Sequence, residues 1–185
     1  MEDSIVAVPV QMRILKNTLV EICWLGLVVN IYIATCVKSK QKKKIENLIG
    51  NIPFPLMERL VIYTDGSCKP NPGAGGWGYI AIFPDCEIWG NGGAKRTTNN
   101  VMELTAVIEA LREFDFAKRL HIYTDSLYVV NCAQGKWERK KNREYWKKYD
   151  VYATGKDIVF EWVKGHNGDY YNELVDKLAQ EGVAH

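Results

Sequence analysis

Five acidic residues stand out for the phrases that hold them. Asp65 lies in IYTDGS and Asp125 in IYTDS, each just after an apolar, β-branched run. Each carboxylate therefore sits where a buried strand ends and the chain turns away, a costly place for a charge unless something positive meets it. Glu103 lies between them, at the start of a stretch with helical periodicity. Glu173 and Asp176 are three residues apart near the start of the last helical stretch, on nearly the same face, and spacing alone does not choose between them. Clustered carboxylates repel and raise each other's pKa, and they become stable as anions when a divalent cation sits among them. An all-oxygen set suits Mg²⁺ or Mn²⁺ rather than zinc. The competing reading is a set of ordinary surface acids, with Asp65 capping a turn. Ser67 and Ser126 follow the two aspartates without a visible His–acid relay, so they read as a turn residue and a helix cap rather than nucleophiles.

The elements that must position these acids alternate in type. In the strand at 59–67, Leu60, Ile62 and Thr64 alternate with Val61, Tyr63 and Asp65, and both sets are apolar enough for a central, doubly covered strand. Gly66, Pro70, Pro72 and Gly73 then break the pattern. Strands at 76–83 and 86–94, joined by a turn at Pro84 and Asp85, complete an antiparallel meander. Asn99 or Asn100 caps a helix, with Glu103 three residues after Asn100 as in a capping box, and Leu104, Val107, Ile108 and Leu111 form its buried stripe. A strand at 119–124, helices at 126–134 and 142–152, a strand at 158–163, a loop at 165–169 and a helix at 170–181 follow. The later β-helix-β order implies parallel pairing with right-handed crossovers. The predicted fold class is α/β with a mixed five-stranded sheet flanked by helices. If the first and fourth strands are parallel neighbours, Asp65 and Asp125 meet at one end of the sheet, and the first helix opens toward them.

Composition bounds the rest. The 185 residues, 47% hydrophobic and 25% charged, fit one globular domain plus an appendage. The net charge of +2 is misleading until divided: residues 1–56 hold seven Lys/Arg and four Asp/Glu, leaving 17 basic and 18 acidic residues at 57–185. Nucleic-acid affinity in the globular part must come from a local patch. Five irregularly spaced cysteines without a C-x-x-C pair argue against a disulfide framework or a zinc site and for a reducing compartment. Residues 1–56 read as an N-terminal extension, with an apolar segment at 18–37 and five lysines between Lys38 and Lys44. Three readings stand: an extension the working protein does not need, with Met57 as the start; a membrane anchor that leaves the following domain in the cytoplasm; or a helix packed on the domain. The domain from Met57 supplies every expected element, so nothing structural is expected of residues 1–56.

The segments TDGSCKPNPGAGGWG, RTTNNVMEL, YTDSLYV and EWVKGHNGDYYNELVDKLA closely resemble type 1 ribonuclease H, the bacterial form, in matching order from Met57 to about Gly182. The resemblance implies the ribonuclease H-like fold, with sheet order 3-2-1-4-5 and a catalytic domain at 57–185. It implies an endonuclease that cleaves the RNA strand of RNA–DNA hybrids by a two-metal-ion mechanism, leaving 5′-phosphate and 3′-hydroxyl ends. It selects Asp65, Glu103, Asp125 and Asp176 as catalytic, metal-binding carboxylates, preferring Asp176 to Glu173. Two Mg²⁺ ions per site are implied, with Mn²⁺ able to substitute. His166, in KGHNGD, takes a proton-transfer or product-release role by the same resemblance, and the imidazole pKa range suits it. His121 reads as structural and His185 as terminal.

For the hybrid, the resemblance assigns Cys68, Asn71, Asn99 and Asn100 to sensing the 2′-hydroxyl side of the substrate, and Arg96 and Thr98 to a DNA phosphate. The stretch at 134–148, QGKWERKKNREYWKK, holds seven Lys/Arg and two Glu with Trp137, Tyr145 and Trp146 interleaved. Such a mixture tracks a backbone and stacks on sugars or bases; it corresponds to a shortened form of the family's basic protrusion. Trp137 and Trp146 are the expected aromatic contacts. Leu127 stands where many bacterial members carry Gln, which removes a polar contact. The rival readings are a ribonuclease H domain cut from a reverse transcriptase and a hybrid-binding module without catalysis; all four carboxylates argue against the second. The partner is an RNA–DNA hybrid. A cytoplasmic monomer without an obligate protein partner is expected, with membrane contact through residues 18–37 the alternative.

Overall fold

The computed structural model describes residues 6–7, 11–14, 59–83 and 86–183. The chain divides into two units, Met1–Arg13 with Arg59–His185 and Ile14–Glu58, and apart from Ile14 the described residues belong to the first. The apolar segment at 18–37, the lysines between Lys38 and Lys44, Met57, the turn at Pro84 and Asp85, and His185 lie outside the described residues.

Two short strands come first, β1 (Val6–Ala7) and β2 (Gln11–Ile14). The central sheet follows. β3 (Leu60–Cys68), β4 (Gly73–Ile82) and β5 (Cys86–Thr97) form the antiparallel meander. β6 (Arg119–Thr124) pairs parallel with β3, and β7 (Asp157–Trp162) parallel with β6. The order β5-β4-β3-β6-β7 is the expected 3-2-1-4-5 arrangement of five strands. Among the described residues four helices flank it: α1 (Asn99–Glu113), α2 (Leu127–Ala133), α3 (Arg143–Ala153) and α4 (Tyr170–Glu181).

The alternation in β3 decides which face meets which helix. Leu60, Ile62, Thr64 and Gly66 point toward α1, since a Cβ at Gly66 would lie 2.1 Å from the backbone nitrogen of Glu103. Ile62, Leu120 and Ile122 are fully buried, as are Met102, Leu104, Val107 and Leu111 of α1. Burying each such side chain contributes roughly 1.5–3 kcal/mol. The opposite face carries Tyr63 and Ile80, which pack with Val175 and Leu178 of α4. Here β4 begins three residues earlier than its sequence pattern suggests, because Gly73, Gly75 and Gly76 pair in the ladder. They carry no side chain to register periodicity. The bare backbone is what admits α4: a Cβ at Gly76 would lie 2.1 Å from the carbonyl oxygen of Ala179.

The expectation that residues 1–56 complete nothing in the domain is corrected at the β5 edge. β1 pairs antiparallel with β5, Val6 opposite Gly93 and Ala7 opposite Gly92, and β2 also pairs with β5. Otherwise β5 would end the sheet with unpaired N–H and C=O groups, an edge that readily templates another strand. The two added strands are too short, and too close to Pro9, to carry a periodic signal in the sequence.

Candidate active site

Register brings the first two acids together. β3 and β6 run parallel with Val61 opposite His121 and Tyr63 opposite Tyr123, and the two tyrosine rings stack at 4.8 Å. Two residues further on, Asp65 and Asp125 leave the same face of neighbouring strands, about one 4.8 Å strand spacing apart. The charge of Asp125 acts directly on Asp65. The indole Nε1 of Trp162 donates to the main-chain oxygen of Asp125 at 2.9 Å, fixing the turn that carries it. No spacing in the sequence signals that contact.

Glu103 arrives from the other face. The close approach at Gly66 lets the α1 backbone press on the end of β3, so Glu103, in the second turn of α1, reaches around to the acids. Its Oε1 accepts from Asn99 Nδ2 at 2.7 Å, and its Oε2 accepts from the Ser126 hydroxyl. The expected capping box is therefore not formed. Thr98 is the N-cap without a side-chain cap bond, and Asn99 spends its amide on Glu103 instead. Ser126 does cap α2, accepting from the Val129 amide at 3.2 Å, and its bond to Glu103 is a second role the sequence did not reveal.

α4 supplies the fourth acid. With Val175 and Leu178 buried against the sheet, Asp176 lies at the margin of the packed face, where its Oδ1 accepts from Gln180 Nε2 at 2.9 Å. Its charge acts on both Asp65 and Asp125, whereas Glu173 is exposed and figures among the causes of neither shift. Asp65 is only 7% exposed, and its pKa is pushed up to about 8. Burial is the main cause and Asp125 the next; a backbone bond from Gly66 opposes them, and Asp176 and Glu103 add to the rise. Burial also raises Glu103, against the bonds from Ser126 and Asn99. Asp125 is raised by burial and then Asp176, with His166 pulling the other way.

Among the described residues, no three His, Cys, Asp or Glu side chains form a ready-made metal cage. The donor set nevertheless fits a hard divalent cation. Four hard-oxygen ligands crowd one end of the sheet, with the anionic forms of Asp65, Glu103 and Asp125 disfavoured by burial, and Mg²⁺ binds through few carboxylates, completing its shell with water and phosphate. Asp65, Glu103, Asp125 and Asp176 would hold it.

The loop before α4 closes over Asp125. A Cβ at Gly165 would lie 2.5 Å from Asp125 Oδ2, and the exposed His166 adopts a left-handed φ of 52°. The remaining candidates sort by exposure. Asn71, Arg96 and Asn100 are exposed, and Thr98 and Asn99 half-buried. Asn71 Oδ1 accepts from the Asn99 amide at 3.2 Å, tying the loop after β3 to the start of α1. Cys68 is 3% exposed, with Sγ facing the carbonyls of Pro70, Gly73 and Thr97, so as placed its thiol shapes the loop rather than meeting substrate. Trp137 is 50% exposed and free to stack. Trp146, also expected to contact substrate, is corrected: it is 2% exposed, donates from Nε1 to the Tyr128 hydroxyl at 2.9 Å, and lies under the Arg139 guanidinium at 4.2 Å. Arg139 is itself committed to Asp150 at 2.6 Å. Lys140, Lys141 and Arg143 stay exposed. His121 is structural as expected, with Nε2 2.9 Å from Glu161 Oε2.

A mixed sheet in this order, with acids gathered at the ends of two central parallel strands, defines the ribonuclease H-like class of fold. The RNase H family model matches residues 57–184, and the chain belongs to that family. It is 42% identical over 139 residues to a ribonuclease H of Wolbachia pipientis wMel, covering 68% of this chain and 96% of that protein. It is 44% identical over 141 residues to a ribonuclease H of Polaromonas sp. strain JS666, covering 68% and 88%. Among solved structures it resembles LC11-RNase H1 in complex with an RNA/DNA hybrid, at 25% identity and a TM-score of 0.59 over 68% of this chain and 96% of that one. It also resembles RNase H1 of the halophilic archaeon Halobacterium salinarum NRC-1, at 30% identity and a TM-score of 0.57 over 67% and 96%. β1 and β2 precede the residues the family model matches.

Proposed function

We infer that the chain is a ribonuclease H, an endonuclease that hydrolyses the RNA strand of RNA–DNA hybrids by a two-metal-ion mechanism and leaves 5′-phosphate and 3′-hydroxyl ends. The carrying observation is the meeting of Asp65, Glu103, Asp125 and Asp176 in a chain of this family. The hybrid in the LC11-RNase H1 complex supports the choice of substrate. Mg²⁺, replaceable by Mn²⁺, is the proposed ion; bound there, it neutralises phosphate charge and makes a coordinated water more acidic. The chain's own contribution is placement. Asp65 and Asp125 are fixed by strand register, Glu103 by Gly66 and its two hydrogen bonds, and Asp176 by the packed face of α4. His166, exposed and close to Asp125, is placed to carry a proton to or from the site. Asn71, Asn99 and Asn100 offer amide donors and acceptors for a 2′-hydroxyl. Arg96 and Thr98 grip a DNA phosphate, and Trp137 with Lys140, Lys141 and Arg143 follows the backbone. The free thiols of Cys68 and Cys132 suit a reducing compartment, and we place the protein in the cytoplasm as a monomer. Cell fractionation distinguishes this from anchoring through residues 18–37.

The deciding experiment presents end-labelled RNA in a hybrid, an RNA duplex and a single strand, with and without Mg²⁺. Metal-dependent cleavage of the hybrid alone is expected, with loss in Glu103→Gln and Asp125→Asn. Equal cleavage of all three substrates, or cleavage in EDTA, refutes the reading.

A further inference from the structure

We propose that Tyr171 is a positioning residue: it seats α4 against the strands that carry Asp65 and Asp125, and so sets where Asp176 stands relative to them. The seat is a pair of rings. Tyr63 and Tyr123 lie opposite each other on parallel strands and stack at 4.8 Å with their planes 12° apart. Each stands two residues before an acid, on that acid's face of the sheet, so the rings form the layer directly behind Asp65 and Asp125. The Tyr171 ring extends the row from the helix side, 5.3 Å from Tyr63 and tilted by 34°. It is the second residue of α4, and Val175 and Leu178 follow it at helical spacing on the buried stripe. Asp176 adjoins that stripe, so a roll or slide of α4 at Tyr171 moves the fourth acid.

The hydroxyl determines which way the Tyr171 ring points. It donates to Glu87 Oε1 on β5 at 2.7 Å. Glu87 is 3% exposed, and a carboxylate so buried is costly to leave without a hydrogen bond, so Tyr171 is held at that place. Two further contacts continue along β5 in the same sense. Asn91 Nδ2 donates to the Leu178 carbonyl at 3.2 Å, and a Cβ at Gly182 would lie 2.5 Å from the Gly92 carbonyl. The far end of α4 is thereby fixed through its backbone, and its entry through one side-chain bond. An edge-on contact between Tyr170 and Tyr171 at 5.1 Å ties that entry to the loop that holds His166.

The kinetic arm of the test rests on the ribonuclease H reading; the exchange arm does not. In the full chain, Tyr171→Phe, Glu87→Gln and the Tyr171→Phe/Glu87→Leu pair are compared for kcat and KM on a hybrid, for thermal midpoint and for amide hydrogen exchange. Tyr171→Phe keeps the ring and loses the bond. It lowers kcat roughly threefold to tenfold with KM unchanged, since a displaced acid weakens the reaction and not hybrid binding. Exchange quickens in α4 while β3 and β6 keep their protection. Glu87→Gln still offers an oxygen to the hydroxyl and retains wild-type kcat and exchange. The Tyr171→Phe/Glu87→Leu pair leaves no carboxylate buried without its bond, so its midpoint recovers above that of Tyr171→Phe while kcat stays low. Wild-type kcat and exchange in Tyr171→Phe overturn the proposal. So does a rise in KM alone, an equal loss in Glu87→Gln, or faster exchange spread evenly over the sheet. A kcat in the pair that recovers with the midpoint overturns it too, since Tyr171 would then be a packing residue only. If the wild-type chain cleaves no hybrid, the functional reading falls, and exchange in α4 still decides the role of Tyr171.

Discussion

Replacing Asp65 with Asn should abolish cleavage and at the same time stabilise the metal-free protein. In the unfolded chain this carboxyl titrates near 3.8, while in the folded protein it is held at about 8. An acid whose folded pKa is raised favours folding less and less as pH climbs from 3.8 toward 8, because the unfolded chain gives up its proton first. Below 3.8 both states keep the proton and there is no penalty; above 8 the penalty is complete. At pH 7 the gap from 3.8 is 3.2 units, and at 1.36 kcal/mol per unit it sets a ceiling of about 4 kcal/mol. Asn is neutral throughout and nearly isosteric, and its amide can donate to Asp125. If only a third of the ceiling is realised, the thermal midpoint in EDTA at pH 7 rises by roughly 5 °C. The difference should shrink toward zero by pH 4, and added Mg²⁺ should narrow it at pH 7 by stabilising the wild type alone. Calorimetry at pH 4, 5.5 and 7, with and without Mg²⁺, makes the measurement. A midpoint for Asp65→Asn at or below wild type at pH 7, or a difference indifferent to pH, would refute the account of the acid cluster.

Four further outcomes are expected. Neutralising Lys140, Lys141 and Arg143 together should weaken hybrid binding and reduce the slope of log affinity against log salt by roughly 2 to 3, as three phosphate contacts would; an unchanged slope makes the segment a solvated face. Trp137→Ala should raise KM about fivefold or more with an unchanged thermal midpoint, a stacking loss of roughly 1–3 kcal/mol. Trp146→Ala should do the reverse, costing about 3–5 kcal/mol of stability as a core truncation, so equal thermal midpoints for the two variants would contradict their assigned environments. Gly66→Ala should lower both stability and kcat, since the new Cβ would fall 2.1 Å from the Glu103 nitrogen; wild-type kcat would mean that this close approach does not position Glu103.

Strand ends were the most legible part of the site. Asp65 and Asp125 follow runs in which both alternating sets are apolar, so the end of a buried strand could be read directly, and pairing then placed them together. The helix at 170–181 was legible for the related reason that Leu174, Leu178 and Ala179 recur at helical spacing. Choosing Asp176 over Glu173 was not a matter of periodicity. Both lie near one face, and only the packing of Val175 and Leu178 turns Asp176 inward while Glu173 remains in solvent. Trp146 was misread because a basic, aromatic stretch looks the same whether its rings face solvent or core; the Tyr128 hydroxyl and the Arg139 guanidinium, which claim it, lie 18 and seven residues away.

The contacts that sequence could not supply are close approaches of backbone or single hydrogen bonds made across the fold. Gly66 under Glu103, Gly165 beside Asp125, and Trp162 on the Asp125 carbonyl each fix an acid without contributing a charge to it. Such residues leave no periodic trace, because a glycine buries no side chain and a single indole bond has no repeat. They are nonetheless what converts four mutually repelling carboxylates into a defined site. Asp65, Glu103 and Asp125 are raised by burial and by their acidic neighbours, and the acids would relax apart if the chain allowed it. Strand register, the α1 contact at Gly66 and the α4 contact with β5 hold them by separate means, so loss of one should displace one acid and leave the others in place. On that argument, variants at these positions should lower kcat with little change in hybrid affinity, the pattern expected when the groups that act on the reacting phosphate move and the groups that grip the backbone do not.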